Sequence, residues 1–281
     1  MRPLHDWPLA DRRPIVGVFT DIDDTLTTDG AITPDALAAL AALKAAGLAV
    51  VPITGRPAGW SQPFAWGDTA RNLPPWPVDA IVAENGAVAL LNHSQNGLDP
   101  LSNGHRLLSK IYQQSDVERH LNYARMQAVA QRILREVPGS RLAEDSPGRE
   151  TDIAIDHAEF HRLNEAQIAT VVALMQAEGM TATVSSIHIN GWYGDHNKLH
   201  GARWIVQSLY GRDLMAELDR WVYVGDSTND QLMFQTFAHS FGVANVRQFE
   251  HQLVHRPRYI TPSERGAGFA EVAQALLAGH P

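Results

Sequence analysis

"PIVGVFTDIDDTLTTDG", residues 14–30, passes from an apolar run directly into a crowd of carboxylates. The run 15–19, rich in Val and Ile, has the length and composition of a buried strand. Asp21, Asp23 and Asp24 follow at once, and at a strand end they repel one another unless a cation or a hydrogen-bond network offsets the repulsion. Two more elements repeat the pattern. "LAVVPITGR" (48–56) reads as a second buried strand ending in Thr54, Gly55 and Arg56. "VDAIVAENGAVAL" (78–90) reads as a third, running into Glu84, Asn85 and Gly86. Between the first two, Thr33 as N-cap, Pro34 at the first helical position and Gly47 as terminator bracket an Ala/Leu helix.

Strand, helix and strand in close succession argue for parallel pairing through right-handed crossovers. The polar residues all fall at the carboxyl ends of the strands, the edge at which open parallel sheets bind ligands. From about residue 91 to 187 the character changes. Loop-like stretches ("NHSQNGLDPLSNGH", 92–105; "VPGSRLAEDSPGRE", 137–150) alternate with helical patterns at 116–137 and 159–179 and short strands at 151–156 and 181–190. The parallel signature returns with a helix at 196–211 and the strand–turn–helix "WVYVGDSTNDQLMFQTF" (221–237). Short strands at 239–246 and 258–262 and a closing helix at 266–277 complete it. The expectation is an α/β chain with a parallel-sheet core domain at 1–88 and 189–281 and an inserted α+β cap domain at 89–188.

The chain has 281 residues, 44% of them apolar, a formal net charge of −8 and no cysteine. The acidic balance and the absence of a basic stripe argue against a nucleic-acid partner. Without cysteine there is neither disulfide nor thiolate chemistry. No apolar run approaches the roughly 20 residues needed to span a bilayer, and the first residues lack a signal-peptide core. A cytoplasmic location without membrane attachment is expected. The sequence does not address oligomeric state.

Taken singly, the polar clusters are ordinary capping and turn residues. Together they suit phosphoryl transfer through an acyl phosphate. Asp21 and Asp23 supply a nucleophilic carboxylate and an acid/base. Asp226 and Asp230 of "GDSTND" help complete a Mg²⁺ site of oxygen ligands. Thr54, Gly55, Lys198 and Asn229 hold the phosphoryl oxygens. "DIDDT", "TGR", a Lys after an inserted region and "GDSTND" resemble the four ordered motifs of the haloacid dehalogenase (HAD) superfamily. "AENGA" and the position of the insertion resemble its type IIB branch, which includes sucrose-phosphate, mannosyl-3-phosphoglycerate and Cof-like phosphatases.

The resemblance implies a Rossmann-like parallel-sheet HAD core with a C2, type IIB cap. It also implies a Mg²⁺-dependent phosphatase with Asp21 as nucleophile and Asp23 as acid/base. Asp21, the Asp23 carbonyl and Asp226 would be metal ligands, and Thr54 and Lys198 would hold phosphate. The sequence departs from the branch where Leu199 follows Lys198 and where Asn190 replaces an acidic residue. Asp24 stands where relatives often carry Gly, and a turn role is expected of it.

A small sugar phosphate is the expected substrate. A mutase of the same superfamily, or a non-catalytic binding module on the same fold, are the alternatives. In the cap, Arg149, Glu150, His188 and Asn190 are candidate substrate contacts, and Trp192 and Tyr193 either stack on a sugar ring or pack at a hinge. His157/His161 and His196/His200 have a spacing that can place two imidazoles on one metal. Neither pair has a third ligand nearby, so solvated helix faces are expected.

Overall fold

A computed structural model describes residues 1–92 and 109–280. The loop expected at 92–105 lies, from residue 93 onward, outside the described residues. Gly17–Thr20 is a central strand, paired in parallel with Trp221–Gly225 on one side and Ala49–Pro52 on the other. The six-stranded sheet runs Arg2–Pro3, Tyr259–Ile260, His239–Gly242, Trp221–Gly225, Gly17–Thr20, Ala49–Pro52, every pair parallel. A parallel bridge from Ile53 to Val82 brings Ala80–Ala83 alongside. From there the chain continues antiparallel through Val88–Leu91 and Ser109–Tyr112.

The unbroken apolar runs of the sequence follow from burial on both faces. Val18, Val50, Val222 and Val224 pack into one layer with Leu40, Leu43 and Phe269. Their neighbours Phe19, Val51, Trp221 and Tyr223 pack into the other with Ile205, Val206 and Phe237. Gly17 exists for this second layer, because a Cβ there would lie 2.3 Å from the Trp221 ring. The Pro34–Ala45 helix starts from Thr33, as expected from the sequence, with Oγ1 accepting the Ala36 N–H.

The inserted region is a four-stranded antiparallel sheet ordered Thr181–Val184, His188–Trp192, Ile153–Asp156, Arg141–Leu142. The helices Asp116–Glu136 and Glu165–Ala177 begin at capping boxes, Ser115 with Glu118 and Asn164 with Gln167. They bury Met126, Ile133, Val171 and Met175 against Ile153, Ile155 and Ile189. Two-residue alternation then turns His188 and Asn190 to the opposite face, toward the core domain.

The strand pairing moves both expected boundaries. Residue 89 lies inside a strand paired with Ala80–Ala83, and residue 188 opens a strand of the cap sheet. We propose a cap of about 113–194 between two core segments. The second cap helix begins at Glu165, not at 159, because Asn164 is its cap. His157 and His161 therefore lie in the preceding turn, on Ser185 O and Asp156 respectively. His196 is buried against Trp192 rather than on a solvated helix face. Trp192 and Tyr193 belong to the cap core. Trp192 is 1% exposed and its Nε1 donates to His196 O, which leaves no face for a sugar ring. Among the described residues no helix is long and apolar enough to cross a membrane.

Candidate active site

Parallel register places the polar strand ends side by side. The Asp21 N–H donates to Val224 O at 2.9 Å and the Ile53 N–H to Thr20 O at 2.8 Å, so Asp21, Thr54 and Asp226 leave adjacent strands at one edge. Lys198, at the start of the Lys198–Tyr210 helix, reaches across to them. Its Nζ lies 2.9 Å from Asp21 Oδ1 and 2.7 Å from Asp230 Oδ1. That helix approaches closely because Gly86, at φ +109°, and Gly201 face each other. A Cβ on Gly86 would lie 2.3 Å from Asn197 O.

Asp21, Asp226 and Asp230 offer carboxylate oxygens within 4.8 Å of one another, all buried. The three negative charges face one ammonium. Burial pushes the Asp21 carboxyl up to about 7; Lys198 opposes that rise and Asp230 adds to it. Burial, then Asp21 and Asp230, raise Asp226 well above the carboxylate range. Lys198 is held above its usual range by Asp21 and Asp230, against the effect of its own burial. A hard divalent cation would relieve the repulsion, and carboxylate oxygens are the donors that Mg²⁺ prefers.

The three acids are not equivalent. Asp226 is steadied by Thr25 Oγ1 on Oδ1 and Asn245 Nδ2 on Oδ2, each at 3.3 Å. Asp230 is already saturated. Its Oδ1 accepts from Lys198 and the Tyr223 hydroxyl, and its Oδ2 from the N–H groups of Asp226 and Ser227.

Asp23 takes no part in this cluster. Arg56 grips it from Nε and Nη2 at 2.9–3.0 Å. The same guanidinium reaches two cap carboxylates, Asp145 at 3.1 Å and Glu159 at 2.7 Å. Glu159 also meets His188 Nε2 at 2.7 Å. Arg149 joins Asp145 and Asp152 in the cap to the Gly55 carbonyl in the core, and Asn190 Nδ2 bridges the same carbonyl and Asp152. Burial pushes Asp152 up to about 7, with Arg149 opposing and Glu84 adding.

Between core and cap, Asp21, Asp23, Gly55, Arg56 and Asn229 face Ser185, Ser186, Ile187, His188 and Asn190 across a cavity of about 10 Å³. That is room for about one water. Thr54 is buried at its edge, with Oγ1 accepting the Arg56 N–H at 3.0 Å.

The structure thus brings Asp21, Asp23, Thr54, Gly55, Lys198, Asp226, Asp230 and Asn229 to one sheet edge, and His188 and Asn190 over them. Arg149 stands behind the wall, holding Gly55 O. Glu150 is elsewhere: its side chain pairs with Lys110 and Tyr112, each at 2.5 Å. Sequence reasoning misses the binding of cap to core. Arg56 is visible in "TGR" but without a role. Asp145, Glu159, Thr25 and Asn245 carry no pattern, because their partners are distant in sequence. Glu84 reads only as a strand exit. It accepts from the N–H groups of Ala58, Glu150 and Thr151 and from Thr151 Oγ1, and so anchors the entry to the cap strand Ile153–Asp156 to the core.

Residues 18–129 match the family model described as haloacid dehalogenase-like hydrolase. Over those residues the chain is similar to the haloacid dehalogenase-like hydrolases. No curated protein sequence matches it. Solved structures resemble it along nearly its whole length at low identity, which shows the shared fold. A HAD/Cof-like hydrolase from Plasmodium vivax superposes with a TM-score of 0.64 at 17% identity, covering 96% of this chain and 99% of that one. The sucrose-phosphatase of Synechocystis sp., solved with sucrose and phosphate, gives 0.62 at 14% identity, covering 94% and 98%. A sugar phosphatase described as HAD subclass IIB gives 0.57 at 16% identity, covering 92% and 97%. The parallel-sheet core with an inserted α+β cap is thus the fold that these structures share with this chain.

Proposed function

We propose that this chain is a phosphatase of the haloacid dehalogenase type, Mg²⁺-dependent and acting on a small phosphomonoester, a sugar or polyol phosphate, through an acyl phosphate on Asp21. One observation carries the reading: the Asp21 carboxylate stands at the sheet edge between Lys198 and Asp226, with Asp23 two residues farther on and held on a separate partner. The two carboxyls thus have separate partners, Asp21 on Lys198 and Asp23 on Arg56.

Asp21 attacks phosphorus and the leaving alkoxide takes a proton from Asp23. Asp23 then draws a proton from water as that water attacks phosphorus, releasing phosphate and regenerating Asp21. Lys198 Nζ, the Gly55 N–H and the Asn229 amide face the transferring oxygens. Thr54 Oγ1 accepts from Arg56 N–H, so its own proton remains to be donated to them. Asp21, the Asp23 carbonyl and Asp226 would hold Mg²⁺, which supplies charge neutralisation between nucleophile and phosphate. Asp230, its oxygens engaged, orients Lys198 and the 226–227 backbone.

The test is phosphate release with Mg²⁺ from sugar phosphates, nucleotides and phosphoglycerates, beside EDTA and Asp21→Asn. Release that EDTA stops and Asp21→Asn abolishes is expected. No release from any member, by folded protein with Mg²⁺ present, would sink the phosphatase reading.

A further inference from the structure

Arg56 and His188 are the basic side chains on the wall of the closed cavity, and both are already matched. Arg56 is ringed by Asp23, Asp145 and Glu159, and His188 shares Glu159. Behind them, Arg149 is divided between Asp145 and Asp152. Lys198 is spent on Asp21 and Asp230. The cap thus closes on the core through carboxylates, and among the described residues lining or backing this cavity every cation has an acidic partner. The remaining cap contacts are neutral: Ser185, Ser186, Ile187 and Asn190.

A second anionic group on the substrate would have to displace Asp145 or Glu159 from Arg56 and remain beside the displaced charge in a site shielded from water. Like charges so placed exclude partners more strongly than extra contacts attract them. Hydroxyl and amino groups, in contrast, donate to these same carboxylates without displacing a charge.

We propose that the group left after dephosphorylation is uncharged or cationic, a polyhydroxy or amino-polyhydroxy compound, and that the site takes no second phosphate or carboxylate. This rests on the phosphatase reading above and makes it more specific. It also runs against transfer through a bisphosphate, whose second phosphate would meet this wall.

The test compares kcat/KM of the Mg²⁺-loaded enzyme for four six-carbon monoesters or bisphosphates: glucitol 6-phosphate, glucosamine 6-phosphate, 6-phosphogluconate and glucose 1,6-bisphosphate. Acetyl phosphate, which needs neither cap contacts nor a strong acid, reports phosphatase chemistry independently. The first two are expected to exceed the last two by about tenfold or more. Glu159→Gln, which removes one charge from the ring around Arg56, is expected to narrow that gap. Equal rates across the four, high or low, or a preference for the anionic pair, overturn the proposal while acetyl phosphate turnover leaves the phosphatase reading standing. A gap unchanged in Glu159→Gln overturns the assignment to this wall. Inactivity toward acetyl phosphate as well overturns both.

Discussion

At the scale of single residues, Asp21 carries two consequences of its burial. Its carboxyl sits near 7 in the metal-free chain, so below that pH it is largely protonated, and metal binding must first expel the proton. Asp226, raised as well, adds a second proton to expel, so apparent Mg²⁺ affinity is expected to fall as pH drops below about 7, by about tenfold per unit or more. Calorimetric titration with Mg²⁺ from pH 5.5 to 8.5 checks this; a flat affinity would contradict it. Asp24 shows how far the sequence speaks at this scale. Its turn role is legible from the crowded "DIDDT", and the structure gives it φ +54° and an ion pair with Arg265 at 3.1 Å. The partner lies 241 residues away and leaves no local trace.

At the scale of elements, two junctions between cap and core can be tested. Burial lowers His196 to about 4, so the folded chain keeps the ring neutral where the unfolded chain protonates it. The folded pKa is depressed, so the unfolded state binds more protons between about 6.5 and 4. Stability is thus lost on acidification through that window, by about 3 kcal/mol for a shift of this size. His196→Phe keeps a ring against Trp192 and is expected to lose less stability than wild type between pH 7 and pH 4.5 in urea unfolding.

Glu84 offers the opposite experiment. Four donors converge on its carboxylate, and Glu84→Gln turns an amide N–H₂ toward some of them. A loss of about 2–4 kcal/mol is expected, with faster proteolysis near 148–151 as the entry to the Ile153–Asp156 strand loosens. Equal stability would mean that the anchor lies elsewhere.

The elements themselves are readable from sequence because each has local causes. Thr33–Pro34, Ser115 with Glu118 and the αL Gly211 mark helix ends within a few residues. The boundaries proposed near 113 and 194 depend on which strand pairs with which, and alternation inside one strand does not say that.

For the whole molecule, the cavity of about 10 Å³ decides the dynamics. The substrate of the proposed function does not fit it, so that function requires the cap to open and reclose in each turnover. The closed state is held by Arg56, which reaches Asp23 in the core and Asp145 and Glu159 in the cap. Arg56→Ala is expected to shift the population toward open forms, seen as a larger radius of gyration in small-angle scattering, and to lower kcat because Asp23 loses its partner. A compact variant with normal kcat would contradict both roles. The core of the site is legible in the sequence because four short motifs in fixed order must meet at one sheet edge. The cap's grip is not, since it depends on single charged residues scattered over a hundred positions.

The nucleophile is where the mechanism is most exposed. With Asp23→Asn, acetyl phosphate still transfers its phosphoryl group, because its leaving group needs no proton, whereas activation of water is lost. Acyl phosphate should then accumulate and can be reduced with borohydride and located by peptide mass spectrometry. Reduction confined to Asp21, dependent on Mg²⁺ and absent without acetyl phosphate, is the expected result. Reduction at another carboxylate, or an unmodified Asp21 while wild-type enzyme turns acetyl phosphate over, would contradict the assignment of Asp21 as the nucleophile.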